Sequence, residues 1–588
     1  MGARRIERRF STALFVTAVL LAVSGGVFLL FHDRAFSGVV LPLALCFSSD
    51  GVVEIATREN LGGIQRHVAF LLVLLGAATA LYRALWWWGI SPLREAVSAP
   101  VLLAPPGRRE GVALVVLLLA GGALRLHGID RSPYYDEAIT EVFFVDAPTL
   151  WETVSRTYVF TNHQGYSVLA RWSRAAFGEG NWSLRLPAFV LGLLGLYVLW
   201  GFVRERLSPQ VAAVALAIAA LFPVHVEWSK EARGYTGVFL LSVLSCRLFL
   251  KILQQPSLAR ALLLSAVNAL AGFFHLYAVY LPLSQAIVLL LLAVRARGWA
   301  WAALPEAALS RGAFRVLGLA FPLSALLLLA GVWPTLPEYM RSMEATAGRT
   351  PHLTLPLHLV EALCGYPPLL LIPFLLALVV CGVRTMSGTH LGPLLLVMCA
   401  LPFPAILLLR PRDAYPRFFA YAFPIFLMIM AIGAVRVWAE PRRRWALRAP
   451  LLLLAGATFL SWGRESLSPG VSEGFKDAAR GMRADAPSDT ACCALGHCAQ
   501  VLAAYAGPGT RVLSYEEELL DLRCAHPEVR CVFRTAYPSG VPVPRVAGVR
   551  PILPLEDWMR RILSEADEVR RYGNVSVCIL RSFPAGPE

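Results

Sequence analysis

Tyr134-Tyr135-Asp136-Glu137 sets two carboxylates just beyond the end of an apolar stretch, in a chain that is apolar along most of its length. A charge at the edge of a bilayer costs little where water reaches it, yet ionisable groups at that depth are rare and usually functional. Downstream come Thr161-Asn162-His163-Gln164-Gly165, then Phe177-Gly178, then Leu184-Arg185-Leu186-Pro187. The order and spacing of this series govern the reading of the whole chain.

The 588 residues are 57% hydrophobic and 16% charged, with a positive mean hydropathy. Apolar runs of about 17–22 residues recur, each long enough to cross a bilayer. About thirteen spans are predicted, at roughly 11–31, 67–88, 111–127, 184–203, 210–226, 235–254, 260–275, 278–294, 316–333, 367–383, 391–409, 420–436 and 449–463. The formal net charge is +15. Its Arg residues sit mainly in short loops between apolar runs, which is the pattern that orients membrane proteins, so no nucleic-acid partner is expected. Arg4, Arg5, Arg8 and Arg9 place the N-terminus in the cytoplasm. Alternation then puts 89–110, 204–209, 295–315, 384–390 and 437–448 on the same side, where Arg108-Arg109, Arg204, Arg206, Arg295, Arg297, Arg311, Arg315 and Arg442-Arg443-Arg444 lie. The first run has no clean cleavage site after it and reads as a retained span rather than a signal peptide.

Three long connections fall on the outer face: 128–183, 334–366 and the tail from 464. The first two exceed ordinary turns and are candidate functional loops. In the first, Ile139, Val142, Phe143 and Asp146 predict a short amphipathic helix. A second, over 166–177, carries Val168, Leu169, Trp172 and Ala176 on one side and Arg171 and Arg174 on the other. Apolar faces down and Arg towards headgroups describe helices lying in the surface of the lipid bilayer.

The tail alternates helical patterns (about 472–485, 498–506, 517–525 and 555–572) with strand-like runs at 511–513, 529–533 and 576–580. That alternation predicts a small α/β domain. Six of the eleven cysteines lie there; an even number permits disulfides in an oxidising compartment and leaves their pairing open. Cys492, Cys493 and Cys498 beside His497 match a zinc site poorly. The fold class is therefore a polytopic α-helical membrane protein of about thirteen transmembrane helices with a small C-terminal extracytoplasmic α/β domain. It divides into residues 1–110 (two N-terminal spans and a cytoplasmic loop), 111–463 (the transmembrane core) and 464–588. The expected location is the inner (plasma) membrane, multi-pass, with a cytoplasmic N-terminus.

Neighbouring positions on a helix point about 100° apart, so Asp136 and Glu137 cannot both face one atom from a regular helix. One carboxylate can meet a substrate while the other holds the loop or a metal. Alternatively, Asp136 caps a helix starting near Ala138 and Glu137 favours its dipole. His163 reads as a hydrogen-bonded structural residue or a catalytic one, and Arg185 as a headgroup contact or a ligand contact. Ser229-Lys230-Glu231-Ala232-Arg233-Gly234-Tyr235 clusters two cations and a carboxylate. Arg410, Arg412 and Arg417 add positive charge on the outer face, where topology alone predicts little. That exception favours an anionic ligand, since Arg clamps phosphate well.

Taken together, Tyr134-Tyr135-Asp136-Glu137-Ala138, His163 before a surface helix, Phe177-Gly178, Leu184-Arg185-Leu186-Pro187 and Glu231-Ala232-Arg233-Gly234-Tyr235 resemble the GT-C glycosyltransferases. The nearest groups are bacterial relatives of the protein O-mannosyltransferases (glycosyltransferase family 39) and the lipid A aminoarabinose transferases. The resemblance covers about residues 111–440. It implies a GT-C type core and inverting transfer of a sugar from a polyprenyl-phosphate carrier to an unidentified hydroxyl acceptor on protein, lipid or glycan. It assigns the catalytic carboxylate to Asp136 with Glu137 beside it. His163, Arg185, Arg233, Tyr235 and Arg417 become lipid-phosphate or substrate contacts. No Gly-rich phosphate loop stands at strand-to-helix spacing. No cofactor is indicated with certainty; a divalent cation at Asp136 and Glu137 stays open, two neighbouring carboxylates being too few ligands to argue for one. A transporter or lipid flippase would instead show paired repeats, broken helices and midplane charges. A non-catalytic envelope scaffold would use the tail as an interaction module, and O-antigen ligases and polymerases share the broad chemistry.

Overall fold

Apolar runs in lipid must satisfy their own backbone amides, and a helix is the local way to do so. The computed structural model describes residues 106–156, 162–295, 310–335, 371–386, 391–400, 416–439, 448–467 and most of 474–534 and 562–581, with isolated positions elsewhere. In chain order the helices are α1 (Arg108–Leu126), α2 (Tyr135–Ile139), α3 (Leu150–Ser155), α4 (Gln164–Phe177), α5 (Asn181–Arg206), α6 (Pro209–Leu221) and α7 (Pro223–Trp228). They continue as α8 (Tyr235–Gln254), α9 (Leu258–Phe274), α10 (Tyr280–Arg295), α11 (Arg311–Val332), α12 (Ile372–Met386), α13 (Leu391–Ala400), α14 (Phe423–Ala439) and α15 (Arg448–Leu467). Each apolar run expected from 111–127 onward carries one of these helices. The run at 67–88 and nearly all of 11–31 lie outside the described residues, as do 336–370 and 401–415. Among the described residues, Asn181–Arg206, Tyr235–Gln254, Leu276–Val294 and Arg311–Val332 are long and apolar enough to cross a membrane.

The run expected at 210–226 is broken. Phe222 takes an extended conformation before Pro223, which opens α7, because a residue before proline disfavours the helical region. The break strands carbonyls at the end of α6, and Arg125 of α1 fills them. Its Nη1 donates to Ala220 O at 2.8 Å and its Nη2 to Ala219 O at 3.2 Å. Nε donates to Ser229 Oγ at 3.1 Å, and Nη2 lies 2.7 Å from His225 Nδ1. A fully buried arginine is thus turned into a splint for the 223–235 connection. Deeper in the bundle, Ser245, Asn268 and Gln285 join α8, α9 and α10 in a closed ring of hydrogen bonds, polar glue of the kind apolar helices use in place of hydrophobic drive. Where α12 crosses α14, a Cβ on Gly433 would sit 1.8 Å from Leu378 O, so glycine lets the two backbones meet.

In the tail, α16 (Phe475–Arg483), β1 (Ala491–Leu495), α17 (Ala499–Ala506), β2 (Arg511–Leu513), α18 (Glu516–Ala525), β3 (Glu528–Arg534), β4 (Glu568–Tyr572) and β5 (Val575–Arg581) build one mixed sheet in the order β2-β1-β3-β5-β4. β1 pairs parallel with β2 and β3; β5 runs antiparallel to β3 and β4. The helix expected over 555–572 ends before Glu568, where β4 begins. Glu568-Val569-Arg570-Arg571-Tyr572 is polar because it is an edge strand, and that composition hides it from an apolar alternation rule. β1, Ala-Cys-Cys-Ala-Leu, escapes for lack of β-branched residues.

The tail sits on the first long loop. Ala138, Ile139 and Phe144 share one core with Phe475, Ala478, Met482 and Leu502. The helix expected at 139–146 exists as α2 plus a π-helical turn, Thr140–Val145. Its apolar side meets the tail, however, not the membrane. The arginines of α4 also depart from expectation. Arg174 donates to Glu141 at 3.0 Å and Asp146 at 2.8 Å, and Arg171 reaches the carbonyls of Val145 and Ala147, so both turn into protein rather than towards headgroups. Trp172 and Phe177 are more than half exposed, which keeps α4 a surface helix with aromatic residues outward.

Candidate active site

The short helix α2 separates the two carboxylates. Tyr134 precedes it in extended conformation and donates its N–H to Glu137 Oε2 at 3.2 Å. Glu137, not Asp136, therefore caps the helix start. Its carboxylate is wholly buried and receives Arg185 Nε at 2.7 Å, Arg185 Nη2 at 2.6 Å and the Ala232 N–H at 2.7 Å. Burial pushes the Glu137 carboxyl up, but the Arg185 charge and hydrogen bonds, Arg131 and the Ala232 N–H together hold it below the usual range. An arginine has five N–H donors. Those of Arg185 go to Glu137 twice and to the carbonyls of Ile129, Arg131 and Ser132. Arg185 is 0% exposed.

About one-third of a helical turn away, Asp136 faces two other arginines. Arg417 Nη1 lies 3.0 Å from Asp136 Oδ2, and Arg233 Nη2 lies 4.0 Å from the same oxygen. Arg233 Nη1 also reaches Thr140 Oγ1 at 3.3 Å. The Asp136 side chain keeps 16% exposure and Arg417 keeps 31%, so this carboxylate, unlike Glu137, is open to a ligand. Asp136, Arg233 and Arg417 come from three segments separated by nearly three hundred residues of chain.

His163 stands at the N-cap of α4 and is buried. Its Nδ1 accepts the Gly234 N–H at 3.2 Å. Burial first, then the Arg233 and His275 charges, hold the His163 ring well below the usual histidine range, so it is a neutral hydrogen-bonding wedge. A Cβ on Gly234 would stand 2.2 Å from Phe274 O and 2.8 Å from His163 Nδ1. Only glycine fits there, and this close approach sets the entry of α8 and with it Arg233 and Tyr235. Tyr235 meets His163 edge-on at 5.2 Å and lies under the Arg233 guanidinium at 6.0 Å. Its hydroxyl and that of Tyr134 are buried without a hydrogen-bond partner among the described residues.

The predicted residues thus fall into two groups. Asp136, Arg233, Tyr235 and Arg417 stand together, Asp136 and Arg417 partly open and Arg233 and Tyr235 buried beneath them; Glu137, Arg185 and His163 lie behind. Residues that the sequence reading left out of the site also stand here. Glu231 lies close to Glu227, Glu137 and Arg417, and burial followed by the two glutamates raises its carboxyl above the usual range. His275, Tyr277 and Phe418 form an aromatic wall, with Tyr277 stacked on Phe418 at 4.7 Å and His275 at 4.9 Å from His163. The motif around Glu231 was visible in sequence; the wall was not, since its members lie in apolar surroundings. Among the described residues no group of three or more His, Cys, Asp or Glu could hold a metal ion.

Comparisons with known proteins bear on the fold and on the family resemblance. The profile of the dolichyl-phosphate-mannose-protein mannosyltransferase family matches residues 165–314. No curated protein matches the chain in sequence. Among solved structures, apo ArnT from Cupriavidus metallidurans is 14% identical with a TM-score of 0.53, covering 81% of this chain and 99% of its own. The same protein bound to undecaprenyl phosphate aligns with a TM-score of 0.49 at 15% identity, over 81% and 99%. The Archaeoglobus fulgidus oligosaccharyltransferase tethered to an acceptor peptide is 12% identical with a TM-score of 0.47, over 73% of this chain and 69% of its own. The chain resembles GT-C glycosyltransferases of the mannosyltransferase and aminoarabinose-transferase type, as its motifs imply.

Proposed function

We propose that this chain is a membrane glycosyltransferase that moves a sugar from a polyprenyl-phosphate carrier to a hydroxyl acceptor at the outer face of the inner membrane. The observation that carries the reading is a partly open carboxylate, Asp136, set between Arg233 and Arg417, in a fold shared with ArnT and beside a match to the mannosyltransferase family.

Arg417 and, at longer range, Arg233 pair with Asp136. A phosphodiester-linked sugar competes for them, as Arg favours bidentate phosphate contacts. Releasing Asp136 from Arg417 leaves its carboxylate to accept the acceptor's proton. As the acceptor oxygen bonds to the anomeric carbon, its proton passes to Asp136, and the bond from that carbon to the phosphate oxygen breaks. Direct displacement inverts the anomeric centre. The departing polyprenyl phosphate gains negative charge, which Arg233 and Arg417 stabilise more in the transition state than in the ground state. The buried hydroxyls of Tyr134 and Tyr235 supply donors to phosphate or sugar oxygens, and Tyr277 and Phe418 offer an apolar wall to the sugar ring. Glu137 and Arg185 hold α2, and His163 holds Gly234; these three act by positioning rather than by touching the donor. Glu137 is taken by Arg185 and Ala232 and Asp136 is already paired with Arg417, so in this reading charge neutralisation falls to the arginines.

This reading keeps the thirteen-span topology, the cytoplasmic N-terminus, the three-part division at about 110 and 463, and the extracytoplasmic tail. Deleting the chromosomal copy and surveying envelope glycans and glycolipids by mass spectrometry tests it. Loss of one sugar, restored by the native chain, is expected; an unchanged glycan profile would overturn it.

A further inference from the structure

Three cysteines of the tail stand in one row across the sheet. Cys493 on β1 is the register partner of Cys531 on β3, and Cys531 is that of Cys578 on β5. All three are buried on one face, in a core with Leu495, Leu513 and Phe533. The opposite face carries Ala494, Val532 and Val577, against which α16 and α17 pack, with Ala138, Ile139 and Phe144 of the first long loop in the same core. The Sγ atoms of Cys493 and Cys531 lie 3.1 Å apart. Neighbouring strands run about 4.8 Å apart, which is inside the Cα separation a disulfide spans. The transfer chemistry proposed above uses none of these thiols.

We propose that Cys493 and Cys531 form a disulfide that staples β1 to β3, leaving Cys578 as a buried thiol beside it. The proposal rests on the outer-face placement of the tail, where disulfides form and persist. The choice of pair rests on geometry, since Cys531 is in contact with the thiol of Cys493. Formation is thiol–disulfide exchange with an oxidant disulfide, either an oxidised dithiol oxidoreductase or a small-molecule disulfide. One protein thiolate attacks a sulfur of the oxidant, giving a mixed disulfide and one oxidant thiol. The second protein thiolate then attacks the protein-side sulfur and releases the other oxidant thiol. The two cysteines lose two electrons and two protons, and the oxidant gains them. In the folded, reduced sheet the contact with Cys493 and burial hold the Cys531 thiol well above its usual range. The thiolate form is then scarce in the folded sheet. The bond would stiffen the platform on which α2 rests.

The test maps cysteine states in the full-length chain taken directly from membranes. Free thiols are alkylated under denaturing conditions without reductant, and the chain is digested and sequenced by mass spectrometry, with fragmentation between Cys492 and Cys493 to fix the linked residue. The expected result is one peptide pair joined through Cys493 and Cys531, lighter by two hydrogens than the separate thiols and parted by reductant, with Cys578 alkylated. A parallel sample is treated with oxidised glutathione in mild denaturant after purification. If the pair is free in the membrane sample but joins in the treated one, the pairing stands and the outer-face placement fails. A Cys531–Cys578 link, or three free thiols after oxidised glutathione, overturns the pairing itself.

Discussion

Replacing Arg185 with methionine should unseat Asp136 without touching it. Arg185 and Glu137 are both 0% exposed and joined by two charge-assisted bonds of 2.6 and 2.7 Å. Removing one partner of such a pair strands the other charge and costs about 3–5 kcal/mol. Since 1.4 kcal/mol is a factor of about ten, local opening of α2 should become roughly 10²–10⁴-fold more frequent. Hydrogen exchange over residues 134–139 of the detergent-solubilised protein reads this directly. Activity should fall with it. Arg185→Lys should be intermediate, keeping charge but not the fork. The double variant Glu137→Leu with Arg185→Met should regain part of the protection, because no stranded charge remains. The pH dependence has a definite sign. Glu137 has a depressed folded value, so its contribution is complete above the ordinary glutamate value of about 4.3 and fades only as pH falls through the lower, folded one. Unchanged exchange at 134–139 in Arg185→Met, together with lost donor binding, would refute the positioning role and return Arg185 to the phosphate.

Three further outcomes follow from the same geometry. Gly234→Ala drives a Cβ to 2.2 Å from Phe274 O; overpacking of this kind costs about 1–3 kcal/mol, and sugar transfer should be lost while membrane abundance stays near native, as quantified by immunoblot and transfer assay. Tyr505→Phe removes the 2.6 Å bond to Glu141, worth about 1.5–3 kcal/mol as a bond to a charged group, and exchange across 134–146 should rise although the substitution lies in the tail. Chelation with EDTA should leave transfer intact, because Arg233 and Arg417 meet the phosphate; loss restored by added magnesium or manganese would contradict that assignment.

The helices of the bundle were legible because each apolar run has few ways to bury its backbone, and the loop bearing Asp136 stood out by its charges. Three things were not legible, each for a tertiary reason. Arg185 reads in sequence as an arginine at a span end, and only the fold shows Glu137 in its fork. Arg171 and Arg174 look like headgroup contacts until Val145, Ala147, Glu141 and Asp146 are brought against them. The docking of the tail depends on Glu141, which gathers Arg174, Lys476 and Tyr505 at 3.0, 2.6 and 2.6 Å. Two of those partners lie 335 and 364 residues along the chain, beyond any local periodicity.

The central claim is that Asp136 takes the acceptor's proton. The direct measurement is the rate of sugar transfer in membranes of the deletion strain carrying either the native chain or Asp136→Asn at equal abundance, followed by mass spectrometry of the product. Loss of a general base costs about 10²–10⁴-fold, so the Asn variant should fall by at least two orders of magnitude while still binding the lipid-linked donor. Transfer by Asp136→Asn at the native rate would contradict the claim.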